Sequence, residues 1–426
     1  MLYSLNEAGF EAFIVGGGVR DVLLGMEPKD FDVATSATPE EIRGVFRNSR
    51  IIGRRFRIVH VHFGREIIEV STFRAQTADK IEIIEGKLTR QDHHIDAAQS
   101  SAGMILRDNV YGTMEEDVLR RDFTVNALYY TVRNFEVYDY VDGLADIDRK
   151  CLRMIGDAGQ RYREDPVRVL RAIRLAAKLD FSIAPETELP LKPCAHLLTS
   201  IPPARLFDEF LKLFFNGHGY RTWELLNEYD VFRVLFPCTS EAFTGDDIYT
   251  RKFLASAFHS TDNRINEGLS ITPAFLLAAI MWPAVRNEMQ ILARTDMPAP
   301  HAMIEAGQNI LSRQLEMLSI PRRFSIPMRE IWDMQLKLQK RQGRRAETLL
   351  GHKRFRAAYD FLLLREAAGE ELDGLGKWWT EYQTANPEQQ LALLDEVEKR
   401  SPRAKSRRRR VKSRRKNVIP NPASSE

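Results

Sequence analysis

Hydrophobic and polar positions alternate over short spans in the first third of the chain, then settle into a helical period. Phe13-Ile14-Val15 reads as a short buried strand, Val19 to Leu24 as the first turns of a helix, and Phe31 to Thr35 as a second strand. Thr38-Pro39-Glu40-Glu41 is a capping-box start with proline at the first helical position. Arg57 to Phe63 and Glu66 to Phe73 read as two strands joined through Gly64-Arg65. From Gln76 to Gly103 the pattern dissolves into a polar stretch, expected to be a mobile loop beside the site. Glu115 to Tyr130 looks helical near its end, and Phe135 to Val141 returns to strand before an Asp142-Gly143 turn. After Cys151 to Ile155, almost everything from Arg161 to about Glu398 has helical period, broken by prolines and without a repeat of fixed length. The pattern predicts an α+β fold. A small α/β head over residues 1–150 is followed by a helical neck over 151–215, a helical body over 216–398 and a disordered basic tail over 399–426.

Composition narrows this picture. The longest apolar run, Ala274 to Trp282, is too short to span a bilayer, and acidic and polar residues interrupt the N-terminus by Glu7. Cys151, Cys194 and Cys238 lie far apart without ligand-like spacing, which points to reduced thiols in a cytoplasmic protein. The net charge of +3 hides an asymmetry: Arg400 to Lys416 holds 11 of the 62 Lys and Arg residues, leaving 51 against 59 acidic ones elsewhere. Such an arginine-dense segment is attracted to polyanions, and RNA is a better match than a solubility role, with anionic lipid as a remaining option.

The richest chemistry lies early. Gly16-Gly17-Gly18 joins the first strand to the first helix, where backbone N–H groups can approach phosphate. It lacks the lysine and Ser/Thr of a P-loop, and its spacing is not G-x-G-x-x-G. Arg20 is placed to meet a phosphate or to pair with Asp21. Asp30 and Asp32, two apart at the start of a strand, project together, and two such carboxylates call for a cation between them. Oxygen ligands suit magnesium, and a paired-metal site suits displacement at phosphorus. A structural glycine turn and a pair of turn aspartates are the plainer alternatives. Two residues compete as a third carboxylate. Glu69 interrupts an apolar strand, and Asp122 lies in Arg120-Arg121-Asp122-Phe123-Thr124, where an ion pair or a helix cap would also explain it.

The helix opening at Glu164-Asp165-Pro166 places Val169, Leu170, Ile173, Ala176 and Ala177 on one arc and Asp165, Arg168, Arg171 and Arg174 on the other. Asp165 is either an N-cap or part of a polar recognition face; three arginines without acids at i+4 suggest a phosphate or base partner. Further on, Trp332, Phe355, Tyr359 and Trp378-Trp379 alternate with basic residues. Aromatics at helical spacing are more often core than base-stacking platforms, though the basic residues between them could line a groove for single-stranded RNA.

Together these residues resemble the class II nucleotidyltransferases, the group of tRNA CCA-adding enzymes and bacterial poly(A) polymerases. The shared motifs are Gly16-Gly17-Gly18-Val19-Arg20-Asp21, Asp30-Phe31-Asp32, Arg120 to Asn126 and Glu164 to Arg171. Ile51 to Val61, Arg341 to Arg345, Phe355 to Asp360, Lys377-Trp378-Trp379 and the arginine-rich tail resemble the poly(A) polymerase branch. Only eleven residues precede Ala12, where that family has several dozen, so the start is expected to be truncated. The resemblance implies a nucleotidyltransferase head and a template-independent adenylyltransferase that uses ATP and two Mg2+ ions to extend RNA 3′ ends. It implies a role in RNA turnover, with the RNA-degradation machinery as a further partner, and the chain is expected to be a monomer. Asp30 and Asp32 would hold the metal ions, with Asp122 as third carboxylate and Glu69 its rival. Gly17, Gly18, Arg20 and Arg121 would contact the triphosphate; Asp165 and Arg168 would read the base, supported by Arg171 and Arg174. CCA addition to tRNA is the first alternative, and a catalytically inactive RNA-binding protein the second.

Overall fold

The computed structural model describes residues 1–53, 56–75, 82–84, 97–100, 105–243 and 247–400. It divides into two units, Met1–Leu235 and the chain from Phe236 onward. The arginine-rich tail beyond residue 400 and most of the 76–103 stretch lie outside the described residues.

The first unit opens with α1 (Leu2–Glu7), β1 (Ala12–Val15), α2 (Gly17–Leu23), β2 (Asp32–Thr35) and α3 (Pro39–Val45). Next come β3 (Ser49–Ile52), β4 (Ile58–Phe63) and β5 (Glu66–Thr72). The capping box at Thr38 is present: its hydroxyl accepts from the Glu41 backbone while the Glu41 carboxylate reaches back to the Thr38 N–H. The β4–β5 hairpin turns through Gly64-Arg65 with Phe63 opposite Glu66, as the alternation predicts. The described parts of the 76–103 stretch include β6 (Glu82–Ile84) and β7 (Ala97–Ser100), which form a small sheet with β8 (Ile105–Asp108). These parts are strands, a correction to the loop expected there.

A second correction concerns Glu115 to Tyr130. The helix comes first, α4 over Met114–Arg120, because Thr113 and Glu116 form a capping box that starts it early. A 3-10 turn over Thr124–Asn126 follows, then β9 (Tyr129–Tyr130) and β10 (Val137–Tyr138). The strand expected over 135–141 shrinks to those two residues, and Asp142 stands at left-handed φ before α5 (Gly143–Asp148).

The main sheet has the order β10-β9-β1-β2-β5-β4-β3. β1 and β2 are antiparallel, with Val15 opposite Asp32, whereas β2 and β5 are parallel, with Asp32 opposite Glu69. The period of two divides its faces. Ala12, Val33, Val59, Val61 and Val70 pack with Leu5, Ile42 and Phe46 on one face. Phe13, Val15, Ala34, Phe73 and Tyr129 pack with Met114 and Val118 on the other. Burying this many aliphatic and aromatic side chains stabilises the head by about 1.5–3 kcal/mol for each fully buried one. The same alternation leaves Asp32 and Glu69 together, beyond the end of the second apolar cluster.

β11 (Cys151–Leu152) leads into α6 (Ala158–Glu164) and α7 (Val167–Leu179). Val169, Leu170, Ile173, Ala176 and Ala177 are buried, as the helical arc requires. Asp165 sits between the two helices: it is extended, ends α6, and its backbone carbonyl accepts from the Arg168 N–H. Its side chain is not an N-cap; Arg205 holds it at 2.7 Å.

The second unit is helical throughout its described residues. Phe355, Tyr359, Trp378, Trp379 and Tyr382 form one core with Met334, Leu338 and Leu362, which is the ordinary fate of aromatics at helical spacing. The Trp379 indole donates to the Leu338 carbonyl and the Trp332 indole to that of Ala278, so both rings are fixed inside. No helix among the described residues is long and apolar enough to cross a membrane.

Candidate active site

A cleft of about 340 Å³ opens in the first unit and gathers half of the site residues singled out by sequence: Gly17, Asp32, Arg121, Asp122, Asp165 and Arg168. The glycine turn is set by Gly16, whose φ of 73° follows β1 directly; an L side chain rarely adopts that conformation. Gly17 begins α2 and lines the cleft. Gly18 does something else. A Cβ at Gly18 would come within 3.0 Å of the Phe31 ring and 3.2 Å of the Asp30 carbonyl oxygen. It is a close-approach residue that lets the chain entering β2 run beside α2, and it does not line the cleft.

Arg20 does not line the cleft. It is 3% exposed. Its Nε and Nη2 both reach Asp21 Oδ1, at 2.9 and 2.5 Å, while Nη1 donates to the Asn126 side chain. Lys178 on α7 binds the other Asp21 oxygen at 2.8 Å. Burial pushes the Asp21 carboxyl up, but Lys178 and Arg20 outweigh it and hold the group below its usual range. Arg20 therefore ties α2 to the turn after Phe123 and keeps the glycine turn in place.

The carboxylates separate cleanly. Asp32 and Glu69 are neighbours in register on adjacent strands and point to the same face. Asp30 precedes β2 and is exposed. Asp32 is solvent-exposed on one side, yet the surrounding cleft atoms desolvate it and raise its pKa to about 6, with the negative charges of Glu69 and Asp30 adding to it and Arg121 opposing. A carboxylate crowded by like charges is a receptor for a cation. Among the described residues no group of three or more His, Cys, Asp or Glu forms a complete metal cage. Magnesium does not require one, since it commonly keeps water and substrate phosphates beside one or two carboxylates. The open, oxygen-only donor set fits that ion.

Asp122 is elsewhere. It lines the cleft, but Arg168 Nε binds its Oδ1 at 2.6 Å and Arg171 Nη1 its Oδ2 at 2.5 Å. Burial opposes ionisation there, yet Arg171 and Arg168 more than compensate and hold Asp122 far below the carboxylate range. Asp122 is thus paired with two arginines, whereas Glu69 stands in register with Asp32. Arg168 also uses Nη1 on the Arg161 carbonyl and on Glu164, so its guanidinium plane is fixed from behind. Arg171 and Arg174 are not among the residues lining the cleft. The charges around Arg174 are Glu209, Arg171, Arg20 and Asp122.

Arg121 lines the cleft. Its Nε donates to the Tyr129 hydroxyl at 2.6 Å and its Nη2 to Asp117 Oδ2 at 3.2 Å. Its Nη1 lies 3.6 Å from where a Gly16 Cβ would be, so the cation stands beside the glycine turn.

Three family models match. One is described as the poly A polymerase head domain (residues 12–153), one as the probable RNA and SrmB-binding site of polymerase A (180–243), and one as the polymerase A arginine-rich C-terminus (295–416). The poly(A) polymerase I of Escherichia coli O157:H7 is 46% identical over 97% of this chain and 88% of its own length. That of Haemophilus influenzae is 46% identical over 95% and 88%. The chain belongs to the poly(A) polymerase family. It is an enzyme of the nucleotidyltransferase class. A CCA-adding enzyme from Lactococcus lactis is 41% identical, but over only 50% of this chain and 49% of its own. The crystal structure of the Bacillus stearothermophilus CCA-adding enzyme in complex with CTP shares the fold, with a TM-score of 0.57 at 22% identity over 89% of this chain and 79% of that one.

For a member of the poly(A) polymerase family, several cleft residues were not singled out by sequence. Asp117 joins Arg121 and Tyr129, and its Oδ1 accepts from the Arg74 backbone at 3.2 Å. Its signal was the acidic first turn after Thr113. Arg74, Arg120 and Arg161 line a second wall. Burial and the charges of Arg74 and Arg161 push Arg120 down to about 10. His60 Nε2 lies 3.2 Å from Glu69 Oε1, across the β4–β5 pairing.

Proposed function

We propose that this protein transfers AMP from ATP to the 3′ hydroxyl of RNA without a template, releasing pyrophosphate. The observation that carries this reading is Asp32 beside the Gly16–Gly17 turn, in the same cleft as the fixed Asp165–Arg168 face, with Glu69 opposite Asp32 on the neighbouring strand. Asp32 and Glu69, with Asp30 at their margin, would hold Mg2+, two ions in the full reading. When bound, the metal would supply charge stabilisation at the α-phosphoryl group and acidify the attacking hydroxyl.

The chain's own residues do the rest. The Gly17 backbone and Arg121 would take the triphosphate, since the glycine turn opens α2 and the cation stands next to it. Arg168 and Asp165 would meet the edge of the base; their outer bonds to Asp122, Glu164 and Arg205 hold both in place before substrate arrives. Preorganised polar groups of this kind discriminate a base by the hydrogen bonds a wrong base leaves unmade. His60 would take up or relay the proton near Glu69. A function in RNA turnover is part of the same proposal.

The test offers an RNA primer with each nucleoside triphosphate in turn. Long homopolymer growth from ATP alone supports the reading. Incorporation of CTP into tRNA lacking its end would favour CCA addition, a reading kept open by the half-chain similarity to CCA-adding enzymes.

A further inference from the structure

Phe56 enters the cleft from the region between β3 and β4, where a hydrophobic side chain has no part in holding a triphosphate or a metal. Its position is built. Gly53 has φ of 84°, and a Cβ there would lie 2.0 Å from the Phe56 carbonyl oxygen, so only glycine at 53 allows the Phe56 carbonyl to sit where it does. The next backbone N–H, that of Arg57, donates to Asn109 Oδ1 at 3.0 Å, and the Arg57 side chain pairs with Glu40. The Arg74 guanidinium lies over the ring, 4.5 Å from its centroid. Arg74 is itself fixed by its backbone bond to Asp117. A half-buried ring backed by a cation, at the mouth of a nucleotide cleft, is a stacking platform.

The sheet order says which nucleotide it serves. The glycine turn follows β1, and Asp32 and Glu69 lie on β2 and β5. Phe56 precedes β4, on the far side of those carboxylates from the glycine turn. It is also displaced along the strands, because Ile58 pairs with Ser71, two residues beyond Glu69. In-line displacement at phosphorus puts the entering oxygen opposite the leaving one. With the triphosphate on the glycine turn, the acceptor must enter from the Phe56 side. We infer that Phe56, backed by Arg74, is the stacking platform for the 3′-terminal base of the acceptor RNA. The proposal rests on the polyadenylation reading, and it adds a subsite to it.

The test compares full-length wild type with Phe56→Ala, Phe56→Leu and Phe56→Tyr in initial-rate assays on an oligo(A) primer. Loss of one base stack corresponds to a rise in primer KM of about tenfold or more. The Ala and Leu variants are expected to show it with KM for ATP unchanged. Leu fills the volume without a π face, so it separates stacking from packing, and Tyr restores the primer KM. A rise in KM for ATP, equal rises in both, or a Leu variant indistinguishable from wild type overturns the inference. If wild type extends no primer with ATP, the polyadenylation reading fails instead; if it does and the primer KM stays fixed, only the platform fails.

Discussion

Arg168 donates its Nε to Asp122 Oδ1 at 2.6 Å, joining two segments 46 residues apart. Arg171 takes the other oxygen, so both lone-pair edges of Asp122 face arginine. An acid bound in this way anchors α7 to the segment after α4. Asp32 and Glu69, by contrast, stand opposite one another in register on adjacent strands.

The two acids should therefore fail differently when neutralised. Asp122→Asn removes the counter-charge of the half-buried Arg171 and one of the two held by Arg168, which keeps Glu164, and is expected to cost about 1–3 kcal/mol of folding stability, read by urea denaturation. Glu69→Gln is expected to keep the stability of wild type, lose about a hundredfold or more in kcat, and need higher magnesium for half-maximal rate. Equal stability losses in the two variants would contradict this division.

Acid should act on Asp32 and Asp122 with opposite signs. The Asp32 pKa is raised to about 6, so the folded protein binds that proton more tightly than the unfolded chain. Its charge costs stability above about pH 6, and the cost vanishes below the ordinary carboxylate range. Asp32→Asn should raise the metal-free melting temperature at pH 7 to 8, and the advantage should disappear near pH 4. Asp122 is depressed, so its contribution is present above the ordinary carboxylate pKa and is lost only as pH falls through the lower folded value. Thermal scans across pH 3 to 8 give the Asp32→Asn curve, and in the same window the deficit of Asp122→Asn should persist down to about pH 4. A destabilised Asp32→Asn at pH 8 without magnesium would refute the first.

What sequence showed of this site follows from range. Period two put Asp32 on one face of its strand and period 3.6 put Arg168 on the polar arc of α7, because both are local rules. The pairing of Asp32 with Glu69 depends on a parallel register between β2 and β5, strands separated by α3, β3 and β4, and no local pattern encodes it. The partner of Arg168 was hidden for the same reason. The buried fate of Arg20 was open as one of two alternatives, and burial decided for Asp21. The capping box at Thr113 was legible and would have started α4 at its true position. The aromatic positions of the second unit followed the ordinary rule and became core.

Arg20 offers a test of positioning without contact. Its fork spans Asp21 and Asn126 at once, which a lysine ammonium cannot do. Arg20→Lys should raise KM for ATP several-fold through a displaced glycine turn and lower stability by about 1–3 kcal/mol, because one buried acceptor loses its donor. Magnesium dependence should stay as in wild type, since Asp32 and Glu69 are untouched. Initial rates over a matrix of ATP and magnesium concentrations separate the two effects, and a shifted magnesium requirement with unchanged KM for ATP would count against it.

Arg168 and Arg171 share Asp122 but not the cleft, and that difference should appear as selectivity. Arg168 lines the cleft and keeps its plane through bonds to Asp122, Glu164 and the Arg161 carbonyl. Arg168→Lys retains the charge but loses the planar fork, so the ratio of kcat/KM for ATP over CTP should fall by about tenfold or more, the worth of one misplaced hydrogen bond. Arg171→Ala removes a partner of Asp122 that lies outside the lining. It should weaken folding while leaving that ratio within about twofold of wild type. Competition between ATP and CTP on a single primer reads the ratio directly. A selectivity loss in Arg171→Ala as large as in Arg168→Lys would mean that the whole arginine face, and not one fixed guanidinium, selects the nucleotide.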